Sequence, residues 1–335
     1  MPAHLADRAP EVSPGQLVAG LVPPPLFDDV RFATYRPDPA EPTQAAAVQA
    51  VERFAGTLGG GAKGGKRKRL FGRGNDAPEA HGVYLDGGFG VGKTHLLASL
   101  WHAAPEPRAY ATFVELTHLA GALGFHQLVE ALSPMSLLAI DEFELDDPGD
   151  TVLVSTLLAR LAEAGVALAA TSNTLPDRLG EDRFATEDFL REIQGLAARF
   201  TSVRVDGPDY RHRGLPEQPT PLTDADVAAR VEATPGATLD SFDALLPHLA
   251  SLHPSRYGAL VDGVPLIGLT GVETVHDQSV GLRLVVFADR VYDRQIPLAT
   301  SGVPLDQLFD DAMLAGGYRK KYRRAISRLV ALARL

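Results

Sequence analysis

Short apolar runs separated by longer amphipathic stretches dominate the middle of the chain. Each run is too short for an ordinary helix and is apolar almost throughout, which is typical of strands buried on both faces. Runs of this kind alternating with helical segments predict an α/β fold with a doubly wound, mostly parallel sheet. The runs are GVYLDG (82–87), ATFVEL (111–116), SLLAIDEF (136–143), VALAATSN (166–173) and FTSVRVDG (200–207).

Two breaks in this pattern divide the chain. The helical stretch TQAAAVQAVERFAGTL, with Thr43 as its predicted N-cap, ends in a glycine-rich basic loop over residues 59–75. Residues 208–236 carry several prolines, and a smaller α/β pattern follows them. We therefore predict an N-terminal extension with a helix and a basic loop (1–75), a core (76–215) and a carboxyl-terminal α/β region (216–335).

The carboxyl-terminal region echoes part of the core. From Leu137 to Leu179 the order is apolar strand, acidic turn, helix, strand and a helix that begins near proline, and the stretch from Pro265 to Leu308 repeats it. In this repeat, the core segment AGVALAATSNTLPDRL corresponds to the carboxyl-terminal segment DRQIPLATSGVPLDQL. A degenerate duplication and a chance recurrence of common units both explain the echo, and the sequence leaves both open.

Composition narrows the class of protein. The 335 residues are 45% hydrophobic and 22% charged, as in an ordinary globular protein, and contain no cysteine, which excludes disulfides and thiolate chemistry. No apolar run approaches the roughly 20 residues that span a bilayer, and MPAHLADRAPEVSPG lacks the layout of a signal peptide. We expect a cytoplasmic protein. A formal net charge of −10 argues against wholesale binding to nucleic acid or anionic lipid.

The stretch LDGGFGVGKTHLL matches the pattern of a phosphate-binding loop between a strand and a helix. Its glycines let backbone N–H groups surround phosphate oxygens, Lys93 would reach the β and γ phosphates, and the Thr94 hydroxyl would bind Mg²⁺. ATP and Mg²⁺ are therefore the expected cofactors. The expected nucleotide-binding residues of the loop are Gly87, Gly88, Phe89, Gly90, Val91, Gly92, Lys93, Thr94 and His95.

Two polar strand ends complement this loop. SLLAIDEF ends in Asp141 and Glu142, at the sheet edge where ligands of such folds bind. Asp141 would hold Mg²⁺ and Glu142 would activate the attacking water. ALAATSN ends in Asn173, which would sense the γ-phosphate if its strand lies beside the strand of Asp141.

Beyond these motifs, the chain resembles the ZapE-type cell-division ATPases and their mitochondrial relatives, which belong to or lie near the AAA+ class. The segments that carry the resemblance are GGFGVGKTHLL, LLAIDEFELDDPGDTVLVSTLL, GVALAATSNTLPDRL, DGPDYRHR and YRRAISRLVAL. It extends from about residue 40 over nearly the whole remaining chain. It implies ATP hydrolysis acting on a division protein such as FtsZ at the inner membrane face, and an adenine contact for Gln44.

The chain also departs from that family. Thr186, Glu187 and Asp188 stand where relatives tend to carry arginines, so an arginine finger cannot be transferred from there. Such a finger contributes roughly 10³–10⁵ in rate. The remaining candidates are Arg183, Arg191 and Arg199 in the core and, favoured by the resemblance, Arg324 and Arg328 in the tail.

Alternatives to a protein-remodelling ATPase remain open. A nucleic-acid-stimulated ATPase or helicase loader would use the loop Lys63–Arg69, where five of seven residues are basic, although a solvated loop is the commoner case. An ATP-switched adaptor with little turnover would need no finger. A small-molecule kinase is disfavoured, because Glu142 places a water-activating acid at the site. The expected partners are a protein substrate and, among further candidates, copies of the same chain and the membrane surface.

Overall fold

The computed structural model describes residues 2–58, 82–88, 90–144, 148–175, 194–195, 197–208 and 219–335. The chain packs as two units. The phosphate-loop unit comprises Pro14–Pro23 and Phe27–Gly214, and the carboxyl-terminal unit comprises Met1–Ser13, Pro24–Leu26 and Leu215–Leu335. Within the described ranges, no helix is both long and apolar enough to cross a membrane.

A five-stranded sheet forms the centre of the phosphate-loop unit. All of its neighbouring strands are parallel and their order is β2-β3-β4-β1-β5, which confirms the predicted α/β fold. Because the strands are parallel, their carboxyl ends meet at one edge of the sheet. The strands are β1 (Gly82–Gly87), β2 (Arg108–Thr112), β3 (Leu137–Asp141), β4 (Ala167–Ser172) and β5 (Phe200–Val205).

Helices cover both faces of this sheet. Leu138 and Ile140 of β3 pack with α4, α5 and α6, whereas Leu137 and Ala139 pack with α2 and α3. Alternate residues of β3 thus enter two different cores, which is why the central strands are rich in apolar residues on both faces. The helices of this unit are α1 (Pro14–Ala19), α2 (Pro42–Leu58), α3 (Lys93–Ala103), α4 (Phe113–Leu123), α5 (Phe125–Leu132) and α6 (Pro148–Glu163).

Two local predictions are wrong. The strand expected at 111–116 ends at Thr112, because Thr112 caps α4: its hydroxyl accepts from the Glu115 amide at 3.2 Å, and the Glu115 carboxylate accepts from the Thr112 amide at 2.7 Å. Thr43 is not an N-cap, since α2 begins one residue earlier at Pro42, a favoured first residue. The Thr43 hydroxyl instead accepts from the Asp206 amide at 2.9 Å.

The carboxyl-terminal unit is built on a smaller sheet with the order β6-β7-β8, again parallel. Its strands are β6 (Thr238–Ser241), β7 (Ile267–Val272) and β8 (Leu298–Gly302). Its helices are α7 (Asp224–Glu232), α8 (Phe242–Ser251), α9 (Tyr257–Val261), α10 (Gln278–Asp293), α11 (Asp311–Ala315) and α12 (Arg319–Leu332). The stretch β7-α10-β8 repeats the order of β3-α6-β4, with a crossover helix of 16 residues in each case. Duplication and chance both remain explanations of this echo.

The first residues of the chain pack with this second sheet instead of forming a separate extension. Ala3 bridges Thr238 at the edge of β6, and the Leu239 amide donates to the Ala3 carbonyl at 2.9 Å. The amide of Leu5 donates to the Asp240 carboxylate at 2.9 Å, and the Leu5 side chain is fully buried in the core. An edge strand is thereby covered by a segment that is remote in sequence.

A partly buried ion cluster joins α10 to α12. The Asp289 carboxylate receives Arg324 Nη2 at 2.9 Å and also pairs with Arg328. Arg328 lies 5.2 Å from the ring centroid of Tyr292. Burial alone would raise the pKa of Asp289, but Arg324, Arg328 and Arg290 together hold that pKa below its usual range. The charged form of Asp289 is therefore the form that stabilises this unit.

Replacing Asp289 tests how much this ion cluster contributes to the free energy of unfolding. We expect Asp289→Asn to lower the free energy of unfolding of the carboxyl-terminal unit by about 2–3 kcal/mol at pH 7, because two partly buried arginines lose their charged hydrogen bonds to Asp289. Since the folded-state pKa of Asp289 is depressed, its contribution is present above the unfolded-state pKa and is lost as the pH falls through the folded-state pKa. Urea unfolding at several pH values measures both effects.

The matched control is Asp262→Asn. Asp262 pairs with Arg294 at 2.7 Å but is 62% exposed, so its removal should cost about 1 kcal/mol or less. Equal losses of stability in the two variants would contradict a special role for the Asp289 cluster.

Candidate active site

The phosphate-binding loop runs from the end of β1 to the start of α3. Gly92 is the N-cap of α3 with a φ of 89°, a left-handed conformation that favours glycine. A Cβ at Gly92 would also lie 2.6 Å from Cε2 of Tyr35, and a Cβ at Gly87 would lie 2.0 Å from the Val205 carbonyl oxygen. The Tyr35 hydroxyl donates to the Val91 carbonyl at 2.8 Å. These contacts restrict the loop at Gly87, Val91 and Gly92; Phe89 lies outside the described residues.

Lys93 lies at the centre of the site. Its buried ammonium donates to the carbonyl oxygens of Gly87, at 2.9 Å, and Gly88, and to Oδ1 of Asn173 at 3.0 Å. Two residues that are far apart in sequence, Lys93 and Asn173, are thus brought together because β4 lies next to β1 and β3 in the sheet. A cation and an amide within one hydrogen bond of each other can both contact the same phosphate group.

Thr94 and Asp141 form the second contact between the predicted motifs. The Thr94 hydroxyl lies 3.3 Å from Oδ1 of Asp141. Hydroxyl and carboxylate oxygens are the ligands that Mg²⁺ prefers, and it commonly takes one or two from the protein and the rest from phosphate and water. Within the described part of the chain no cluster of three or more acidic, His or Cys side chains offers a closed metal cage. The residues present therefore fit a nucleotide-bound Mg²⁺.

The Asp141 carboxylate is held by hydrogen-bond donors from several elements. Tyr110 of β2 donates its hydroxyl to Oδ2 at 2.8 Å. Oδ1 accepts from the Thr171 hydroxyl of β4 and from the Glu142 amide, the latter at 3.1 Å. Burial, followed by the charge of Glu142, raises the pKa of Asp141, while the hydroxyl donors oppose that rise. A carboxylate in this position needs those donors or a cation to stay ionised.

Glu142 has an unusual backbone. Its φ is 53°, a left-handed conformation that costs a non-glycine residue about 1–3 kcal/mol. Its amide donates to Asp141 Oδ1 at 3.1 Å and to the Thr171 hydroxyl at 3.1 Å, and the next amide, of Phe143, donates to the Thr171 carbonyl at 2.7 Å. These bonds hold the strained turn that carries the predicted water-activating acid at the sheet edge.

Asn173 has a second partner that the sequence did not suggest. Its Nδ2 donates to Oε1 of Glu144 at 3.3 Å. The amide of Asn173 is thus oriented between the Lys93 ammonium on one side and the Glu144 carboxylate on the other. Glu144 adds an acid beside Glu142 at this edge.

Gln44 of α2 and His95 of α3 both form hydrogen bonds to neighbouring segments of the unit. Gln44 is buried: its Oε1 accepts from the Asp38 amide at 2.8 Å and its Nε2 donates to the Asp206 carbonyl at 2.9 Å. Nε2 of His95 lies 3.0 Å from the Thr34 hydroxyl, and burial lowers the pKa of His95. An adenine contact for Gln44 and a nucleotide contact for His95 stay predictions.

Of the arginine candidates, Arg199 is the one that lies among the described residues of the phosphate-loop unit. Arg199 precedes β5 at its amino end, and a strand of six residues is about 20 Å long, more than an arginine side chain spans. Arg324 and Arg328 belong to the carboxyl-terminal unit, where both pair with Asp289. Arg183, Arg191 and residues 186–188 lie outside the described residues. A finger role for Arg324 or Arg328 stays a prediction.

Sequence reasoning missed several residues of the site. Thr171 is part of the quoted ATSN segment, and its position two residues before Asn173 was a usable signal. Tyr110 could not be found, because the predicted strand began after it. Tyr35 lies in no motif, and Glu144 lies in the segment LLAIDEFELDDPGDTVLVSTLL but was assigned no role.

The chain is similar to known proteins over most of its length. A family model described as AFG1-like ATPase matches residues 11–230 and 215–334. The chain is similar to the cell division protein ZapE of Escherichia coli K12, with 26% identity over 306 residues that cover 78% of this chain and 80% of the relative. It is also similar to the uncharacterized protein C115.02c of Schizosaccharomyces pombe, with 28% identity over 148 residues that cover 39% of this chain and 33% of the relative.

Among solved structures, DnaI matches 54% of this chain and 94% of its own chain, with a TM-score of 0.39 and 17% identity. The AMPPCP-bound DnaA of Aquifex aeolicus matches 53% of this chain and 50% of its own, with a TM-score of 0.39 and 14% identity. TM-scores of 0.39 are too low to support a functional argument. The family is shown by the match to the family model.

The shape of the loop can be tested at Gly92. We expect Gly92→Ala to weaken ATP binding at least tenfold, because the new methyl group would strain a left-handed φ and collide with Tyr35. Equilibrium titration with a fluorescent ATP analogue measures the affinity.

Gly165→Ala is the matched control for this substitution. Gly165 has nearly the same φ, 90°, and a Cβ there meets nothing within 4 Å. Gly165→Ala should be destabilised by backbone strain about as much as Gly92→Ala, but should keep its affinity for ATP. Equal affinities in the two variants would contradict the proposed tight packing of the loop.

Proposed function

Since the chain belongs to the AFG1-like ATPase family, we propose that it hydrolyses ATP in a Mg²⁺-dependent reaction and uses this reaction to remodel a partner protein. The family makes the chain an ATPase. The observation that carries the proposed mechanism is the convergence of Lys93 with Asn173, and of Thr94 with Asp141, at one sheet edge.

Each residue of this edge has a role in the proposal. Lys93 binds the β and γ phosphates, together with backbone N–H groups of the loop and the N-terminal dipole of α3. Thr94 and Asp141 hold Mg²⁺, which when bound neutralises charge on the phosphate oxygens. Asn173 contacts the γ-phosphate, and Glu142 accepts the proton of the attacking water.

The reaction is a displacement at the γ-phosphorus. The oxygen of water forms a bond to phosphorus while the bond from phosphorus to the β,γ-bridging oxygen breaks. The proton of water passes to Glu142, and the electron pair of the broken bond stays on ADP. The strained backbone of Glu142 supports this assignment, because such strain is commonly retained where a side chain must be held in one place.

We propose a protein partner and a role in cell division because the relative in Escherichia coli is named a cell division protein. An FtsZ-like polymer at the cytoplasmic face of the membrane is the proposed substrate. Stimulation of turnover by that polymer supports this role. Stimulation by nucleic acid with a steep salt dependence would instead support a helicase-loader type of function.

The role of Glu142 gives the first test of the proposed mechanism. We expect Glu142→Gln to lower the hydrolysis rate by about 10²–10⁴, because the amide cannot take the proton of water, while the affinity for ATP is retained. Phosphate release and ATP titration measure the two quantities on the same preparation. Glu130→Gln, the same change at an exposed position of α5, should leave both unchanged.

Two results would contradict the mechanism. Full activity in Glu142→Gln would move the water-activating role to another acid, with Glu144 as the next to substitute. Absence of turnover in the unaltered protein with ATP bound, even with added partner polymer, would leave a nucleotide-switched adaptor.

A second test concerns the arginine that would supply positive charge next to the transferred phosphate. If Arg324 or Arg328 acts in a neighbouring copy, activity per subunit should rise with protein concentration. Sedimentation at the same concentrations shows whether the rise follows assembly. Activity that does not depend on concentration would contradict a finger in trans.

A further inference from the structure

Tyr110 and Asp141 face each other across two neighbouring strands. The parallel register of β2 and β3 pairs Thr112 with Asp141 and Tyr110 with Ala139. Side chains two residues apart on a strand share one face, and a long aromatic side chain reaches the diagonal position on the next strand. The hydroxyl of Tyr110 accordingly lies 2.8 Å from Oδ2 of Asp141, and both residues are buried.

The two oxygens of the Asp141 carboxylate have different neighbours. Oδ2 receives Tyr110, whereas Oδ1 receives Thr171, the Glu142 amide and Thr94. Thr94 is the residue of the loop that would share the metal with Asp141. The bond from Tyr110 therefore fixes the rotation of the carboxylate so that Oδ1 faces Thr94.

Tyr110 itself is held in place by the fold. Its side chain belongs to the buried apolar cluster that also contains Leu97 and Leu100 of α3. Its backbone amide donates to the Leu21 carbonyl at 2.8 Å, outside the sheet ladder. The edge strand that carries Tyr110 is thus clamped by the segment after α1, and the hydroxyl has little freedom to leave Asp141.

We propose that Tyr110 is a positioning residue that orients Asp141 for the metal ion, with Thr171 as its counterpart on the other carboxylate oxygen. This proposal rests on the proposed role of Asp141 in holding Mg²⁺. Hydrogen bonds to a metal-binding side chain fix its orientation, and their loss typically costs about 10–100-fold in metal affinity or activity. The substitution Tyr110→Phe removes the Tyr110 hydroxyl and keeps the aromatic ring.

The experiment compares metal binding with nucleotide binding in Tyr110→Phe. We expect the Mg²⁺ concentration for half-maximal ATPase activity to rise about tenfold or more. Binding of Mn²⁺ to the protein–ADP complex, followed by electron paramagnetic resonance, should weaken by a similar factor. ATP affinity measured in EDTA should stay unchanged, because the phosphate-binding loop is intact.

Three further variants separate positioning from packing. Thr171→Val should weaken Mn²⁺ binding as Tyr110→Phe does, and Thr171→Ser, which keeps a hydroxyl, should restore it. Tyr257→Phe is the control for loss of a buried tyrosine hydroxyl elsewhere: Tyr257 is fully buried in the carboxyl-terminal unit and donates to the Leu249 carbonyl. It should leave Mn²⁺ binding unchanged.

A double-mutant cycle makes the dependence on Asp141 explicit. In an Asp141→Asn background, Tyr110→Phe should weaken Mn²⁺ binding no further, because the group that it positions is gone. Effects that add independently would overturn the proposal. So would a loss of ATP affinity in EDTA equal to the loss of Mn²⁺ affinity, since that pattern indicates general disruption of the site.

The proposed function and this inference fail in different ways. Activity of the unaltered protein that does not respond to Mg²⁺ would overturn the metal-dependent mechanism, and the role of Tyr110 with it. A clear Mg²⁺ dependence that is identical in the unaltered protein and in Tyr110→Phe would overturn the role of Tyr110 alone.

Discussion

The buried carboxylate of Asp141 is the group on which the architecture of the phosphate-loop unit most depends. A carboxylate removed from water is costly unless donors or a cation compensate it. Its donors come from β2, β4 and the start of α3, so the compensation exists only if those elements lie around β3 in their observed order. The same strand order therefore supplies the hydrogen-bond donors of the Asp141 carboxylate and assembles the candidate active site.

Irregular segments complete both sheets. Leu21 bonds to the edge strand β2, Ala3 bridges the edge of β6, and Leu222 bridges Ser301 at β8. Unpaired sheet edges favour unwanted association, and covering them with loops is a common remedy. In the phosphate-loop unit this cover also lies behind Tyr110, so a segment with no recognisable motif becomes part of the support of the site.

Charge is used differently in the two units. At the phosphate edge, Lys93 binds backbone carbonyls and Asn173, an arrangement in which an incoming phosphate can take over the ammonium. In the carboxyl-terminal unit, Arg324 and Arg328 both pair with the partly buried Asp289. Any role of these arginines at a phosphate has to compete with their hydrogen bonds to Asp289 in that ion cluster.

The chain alone determined the features that depend on local pattern. The loop GGFGVGKT, the acids after β3 and the apolar runs of four of the five strands could be predicted because glycine spacing and strand hydrophobicity act within a few residues. The strand predicted at 111–116 extended into what is α4, although the TFVE capping box is also local, because the apolar run across Thr112 was the stronger pattern.

Tertiary structure decided which residues meet. Only the register of β2 against β3 places Tyr110 beside Asp141, and only the neighbouring position of β4 brings Thr171 and Asn173 to the loop. The pairing of residues 2–13 with β6, and of Arg324 and Arg328 with Asp289, likewise follows from packing. Such contacts join residues that are remote in sequence, and each is selected by the burial and hydrogen bonding of its partners, which no local pattern contains.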